Sequence, residues 1–158
     1  MERLAEQLRD VVIASDACRR VMATALGVGI SEAAALEDFF RRGLLAPSVL
    51  ARHLGLASAT VTALIDRLET AGLVTRHRHP TDRRGVLVGL TGPGQAAMGA
   101  MFALFTEDVD AAVQFAKPQD VAAFTAVLTR IASALRERAT HPEAIATALR
   151  QAQTEGPG

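Results

Sequence analysis

At 158 residues, 49% of them apolar, the chain is long enough for one compact core with helical extensions and too apolar for a disordered segment. No apolar run approaches the roughly 20 residues of a membrane-spanning helix, the N-terminal MERLAEQLRD is charged rather than signal-like, and the single cysteine excludes an internal disulfide. A cytoplasmic protein with no membrane partner is expected.

The formal net charge is zero, but it is unevenly spread. From Arg41 to Gly85 eight arginines stand against three acidic residues, giving +5, and the remaining nine basic and fourteen acidic residues give −5. A basic centre between acidic arms is a local electrostatic footprint of the kind that attracts nucleic acid.

Residues 2–26 carry Leu4, Leu8, Val11, Val12, Val21, Met22 and Leu26 at helical spacing, which predicts an amphipathic first helix. GVGI breaks the pattern, and Ser31 is the expected cap of a second helix, with Glu32 in its first turn, Leu36, Phe39 and Phe40 on its buried side, and Arg41-Arg42-Gly43 at its end.

The stretch from Ala46 to Thr91 is the most informative. Pro47 suits a first helical turn, Leu50, Ala51 and Leu54 share a face, and Gly55 supplies a left-handed stop. Ser58 is the expected N-cap of the next helix, in which Val61, Leu64, Ile65 and Leu68 form an inward stripe. Its outward face presents Ala59, Thr62, Ala63 and Asp66, flanked by Thr60 and Arg67. Side chains this small let a helix sink into a major groove, where methyl groups meet thymine methyls and hydroxyls bond base edges. Gly72 ends the helix, and two alternating runs, Leu73 to Arg78 and Val86 to Leu90, enclose the turn HPTDRRG. This is a helix-turn-helix followed by a basic hairpin, or wing. In the wing, Asp82 is expected to orient Arg84, with Arg83 beside it, toward a minor groove.

The run LAxxLGLxxxTVTxLIDRLExxGLVxRxxxPxDRRxxxVxLTxxG, from Leu50 to Gly94, resembles the signature of the MarR family of bacterial transcriptional regulators. Two positions depart from the family pattern, Ala46 where a polar cap is frequent and Ala63 where arginine is frequent. The resemblance implies a short strand at Leu44 and Leu45 pairing with the wing, a homodimer built from both chain ends, repression, and a small-molecule effector bound between the dimer helices and the DNA-reading lobes.

After the wing, Thr91 is the expected cap of a long helix through Phe115, lined by Met98, Met101 or Phe102, Phe105, Val109 and Val113. A further helix is expected from about Pro118 to Arg138, where Val121, Phe124, Leu128, Ile131 and Leu135 recur in steps of three and four, a narrow seam suited to another helix. PEAIATALRQAQ reads as a last short helix.

The fold expected is mainly α with a small antiparallel β wing: an N-terminal dimerisation helix (1–30), a winged helix-turn-helix (31–91), C-terminal dimerisation helices (92–150) and a flexible tail (151–158). Leu4, Leu8, Val12 and the seam residues are the dimer candidates. Ser58, Ala59, Thr60, Thr62 and Ala63 are expected to face bases of a pseudo-palindromic operator in double-stranded DNA, and Arg67 a phosphate. Arg52, Arg76 and Arg78 are further phosphate candidates, and Asp82, Arg83 and Arg84 serve the wing.

Three other readings compete. His77, His79 and Asp82 resemble a metal triplet, but the surrounding arginines make the site strongly positive and no fourth ligand lies near. Cys18, beside Arg19 and Arg20, is a candidate redox sensor, as in some MarR-like regulators, although the tyrosine partners of that subgroup are missing from a chain without tyrosine. A helical dimeric interaction protein that binds no DNA is the third. No nucleophile elbow or phosphate loop is present, so neither enzymatic activity nor a cofactor is expected.

Overall fold

The structure is a computed structural model that describes residues 2–82 and 85–154. In chain order it comprises α1 (Glu2–Leu26), α2 (Ile30–Arg42), α3 (Pro47–Leu54), α4 (Ser58–Thr70), β1 (Val74–Arg78), β2 (Val86–Leu90), α5 (Gly92–Val113), α6 (Pro118–Ala139) and α7 (Pro142–Thr154). The two strands pair antiparallel, with Val74 opposite Leu90 and Arg78 opposite Val86. Contacts divide the chain into two compact units, Met1–Thr106 and Glu107–Gly158.

The core of the first unit forms around α4. Val61, Leu64, Ile65 and Leu68 are fully buried, as are Leu36 and Phe39 of α2, Leu50 of α3, and Val74 and Val88 of the strands. Each such side chain contributes about 1.5–3 kcal/mol by leaving water. Met22 and Ala23 at the end of α1 and Met98 of α5 complete it, and the rings of Phe40 and Phe102 lie 6.0 Å apart at its edge. In the second unit, α6 and α7 contain no buried residue.

Two glycines set the geometry of the helix-turn-helix. Gly55, at φ 65°, closes α3 with its N–H on Arg52 and that of Leu56 on Ala51, and the chain bends by 109° into α4. Gly72, at φ 72°, closes α4 in the same way, its N–H on Glu69 and that of Leu73 on Leu68. In this double closure the left-handed residue lets two otherwise orphaned carbonyls be satisfied at once. Thr91 then caps α5 as expected. Its hydroxyl accepts the N–H of Gly94 at 3.1 Å and donates to the carbonyl of Gly72 at 2.6 Å, so one side chain ties the start of α5 to the end of α4.

Other expectations are corrected. Ser58 is the first residue of α4 rather than its cap; Ala57 takes the cap position without a side-chain hydrogen bond. Ser31 likewise lies inside α2, which starts at Ile30 behind Gly29. In both cases extended backbone already precedes the helix, so a serine hydroxyl is not needed to start it. Leu44 and Leu45 yield one bridge, Leu45 to Val88, instead of a strand, because Ala46 and Pro47 turn the chain into α3 immediately. The helix expected to reach Phe115 ends at Val113, and α7 continues to Thr154, into the stretch expected to be a tail.

Replacing Gly72 by alanine forces a Cβ into the left-handed region and should cost ~1–2 kcal/mol. The control Gly92→Ala, at a position where a Cβ meets nothing, should leave stability nearly unchanged; urea denaturation of both variants checks the difference.

Candidate nucleic-acid interface

With its stripe Val61, Leu64, Ile65 and Leu68 turned inward, α4 has only one face left for a partner. Ser58, Ala59, Thr60, Thr62 and Ala63 are all exposed on it. The Thr62 hydroxyl donates to the carbonyl of Ser58 at 3.0 Å, which uses its proton and leaves Oγ1 as an acceptor.

Three polar clips fix this helix and its neighbours. At the start of α2, Glu32 receives Arg67 of α4, with Nε–Oε1 at 2.7 Å and Nη2–Oε1 at 2.5 Å. Near the end of α2, Asp38 takes Nδ1 of His53 on α3 at 2.5 Å and Nε of Arg42 at 2.7 Å. From the wing, Arg76 reaches Asp66 at 2.6 Å and also pairs with Glu69, both near the end of α4. Hydrogen bonding to Asp66, reinforced by both carboxylates against the opposing effect of burial, raises the Arg76 pKa above its ordinary value, so this guanidinium stays charged.

These clips sort the arginines singled out in the sequence. Arg67 and Arg76 are paired within the protein, whereas Arg52 and Arg78 are exposed and form no ion pair among the described residues. Arg83 and Arg84, and with them the expected contact between Asp82 and Arg84, lie outside the described residues.

At the wing tip, Nδ1 of His79 accepts the N–H of Asp82 at 3.1 Å and that of Thr81 at 3.3 Å, which assigns the ring proton to Nε2. The carbonyl of Asp82 accepts the N–H of Gly85, and the N–H of His79 bonds Gly85 in turn. His79 thus organises a turn. Among the described residues no group of three or more histidine, cysteine or acidic side chains is placed to hold a metal ion.

Cys18 is exposed on α1. Its neighbour Arg19 is bound to Glu37 of α2 at 3.0 Å and to Asp16 at 2.5 Å.

The roles of Glu32, Asp38 and His53 were not visible in the sequence. An acidic residue in a first turn signals favourable interaction with the helix dipole, but nothing local specifies which helix it will meet 35 residues later, as Glu32 meets Arg67.

Helices α3 and α4 with the β1–β2 hairpin behind them define a winged helix-turn-helix. Residues 30–86 match the family model described as the MarR family. It is 38% identical over 66 residues to the HTH-type transcriptional regulator YcgE of Bacillus subtilis, a match covering 42% of this chain and 43% of that one, so the chain spans less than half of this relative. The fold is that of a MepR mutant from a multidrug-resistant S. aureus clinical isolate, with a TM-score of 0.71 and 20% identity over 84% of this chain and 96% of that one. A second S. aureus MepR mutant, bound to an oligodeoxyribonucleotide, shares it as well, with a TM-score of 0.57 and 21% identity over 84% and 97% of the two chains.

Arg76→Ala should lower global stability by less than about 1 kcal/mol, since the ion pairs it removes are exposed. It should nevertheless loosen the hairpin against α4, seen as faster amide exchange in β1 and β2 with little change in the α2 and α4 core.

Proposed function

We propose that this chain is a homodimeric transcriptional regulator that binds double-stranded DNA sequence-specifically and acts as a repressor released by a small-molecule ligand. The observation that carries this reading is the exposed, small-featured face of α4 within a winged helix-turn-helix that matches the MarR family model, with Arg52 and Arg78 forming no ion pair among the described residues. In the proposed complex α4 enters the major groove, where Ser58, Ala59, Thr60, Thr62 and Ala63 meet base edges. Arg52, Arg78 and Arg67 meet phosphates, and the wing residues Arg83 and Arg84 edge the minor groove. A DNA partner implies the cytoplasm of a bacterial cell. The oligonucleotide-bound MepR mutant, which shares the fold, supports DNA as the partner. Repression follows from a bound dimer obstructing polymerase, and the effector rests on the family alone.

Dimerisation is supported by apolar surface that the single chain leaves uncovered. Phe102 is 58% exposed, Leu135 is 61% exposed, and Leu4, Val12, Phe124 and Leu128 are also exposed, while Leu8, Val121 and Ile131 are only partly covered. Exposed large apolar side chains on α1 and α5 and, in the second unit, on α6 are the surfaces assigned to the dimer contact. Two copies related by a two-fold axis would present their α4 helices to major grooves one turn apart, about 34–36 Å, and so select a pseudo-palindrome.

The test is a titration of the chain against a duplex enriched by the wild-type protein from a randomised pool, at several salt concentrations. A complex whose affinity falls steeply with salt is expected, and no complex at any salt would favour the helical interaction protein instead. Arg78→Ala should reduce the salt slope by about 1, whereas Thr62→Ala should change which sequences are enriched and leave the slope unchanged. Phe124→Asp combined with Leu128→Asp should convert the chain to a monomer in sedimentation velocity and abolish tight binding to the two-half-site duplex, because only one half-site can then be held.

A further inference from the structure

Among the described residues, Glu32 is the buried charged one, with only 6% of its surface exposed. A carboxylate withdrawn from water to this extent is costly unless it is paired. Three features of its surroundings accommodate it. It lies in the first turn of α2, where the helix dipole favours a negative charge. Its Oε2 lies so close over Gly29 that a Cβ there would collide with it, so the glycine leaves room for the carboxylate. Its Oε1 accepts the Nε–H of Arg67 at 2.7 Å and lies 2.5 Å from Nη2 of the same guanidinium.

The pairing is one-sided. A guanidinium has five N–H donors; that of Nε bonds Oε1, and Nη2 is ion-paired with the same oxygen. Among the described residues Nη1 has no ion-pair partner, on a side chain that is 60% exposed. Arg67 also lies one turn beyond Ala63, continuing the exposed face of α4. An arginine gripped along one edge and open along the other is held in one rotamer before any partner arrives, which removes the ordering cost that a free arginine meets on binding.

We propose that Glu32 is a positioning residue for DNA binding: through Oε1 it fixes Arg67 so that the remaining guanidinium edge meets a backbone phosphate beside the groove occupied by α4. The proposal rests on the DNA-binding reading above and adds a residue of α2, outside the helix-turn-helix, to the interface. Its consequence runs against simple charge counting. Removing an acidic residue near DNA should strengthen binding if only net charge matters, whereas removing Glu32 should weaken it.

The experiment measures affinity and salt slope for Glu32→Leu, Glu32→Gln, Arg67→Ala and Arg67→Lys on the duplex enriched by the wild-type chain, with circular dichroism as the check on folding. Glu32→Leu should bind several-fold more weakly with the slope reduced by about 1, matching Arg67→Ala, and the double variant should fall no further. Glu32→Gln, which keeps an oxygen acceptor for Arg67, should restore most of the slope. Arg67→Lys keeps the charge but loses the fork, and should resemble Arg67→Ala; this comparison decides the matter if Glu32→Leu does not fold. Glu32→Leu binding as tightly as wild type or more tightly overturns the proposal, as does wild-type behaviour of Arg67→Lys. A wild-type chain that forms no complex defeats the DNA-binding reading itself, which distinguishes that failure from failure of the positioning role alone.

Discussion

The constraint on which the first unit depends is the complete burial of one side of α4. Val61, Leu64, Ile65 and Leu68 are inaccessible to solvent, and they draw in α2, α3 and both strands. Burial of one face by a 13-residue helix leaves the opposite face with no choice of orientation. The surface offered to a partner is thus a by-product of core formation, and its rigidity is inherited from the core.

Polar contacts then decide angles that the apolar core leaves loosely set. Hydrophobic burial is non-directional, so it decides which face of α4 is covered while leaving the angle at which α4 crosses α2 loosely set. The contacts of Glu32 with Arg67, of Asp38 with His53, and of Asp66 and Glu69 with Arg76 are directional. Between them they join α2 to α4, α2 to α3 and α4 to the wing. Thr91, bonded to both Gly72 and Gly94, adds the junction to α5. The resulting lobe has the exposed face of α4 defined by helix packing and its interhelix angles defined by ion pairs.

Much of this was legible in the sequence. The helical period from Val61 to Leu68, the glycines at 55 and 72, and the alternating strands around HPTDRRG gave the helix-turn-helix and its hairpin, because each is a local signal with a local cause. The caps at Ser31 and Ser58 were misplaced by one residue or more, since a serine at a helix start is a preference that extended backbone before the helix makes dispensable. Residues His77 and His79 looked like a ligand pair in the sequence; in the structure His79 closes the wing tip through Nδ1.

The arginines draw the line between the two kinds of knowledge. By itself, the sequence determined that the region from Arg41 to Gly85 is basic, that α4 has one apolar and one small-featured face, and that a hairpin follows it, because composition and periodicity are properties of the chain in order. It could not say that Arg67 and Arg76 would be paired inside the protein while Arg52 and Arg78 stayed unpaired among the described residues. Nor could it say that Glu32 would be buried and paired with Arg67 of α4. Those outcomes depend on which helices meet and at what angle, and a charge is neutralised only by a group within a few ångströms in space, whatever its distance along the chain.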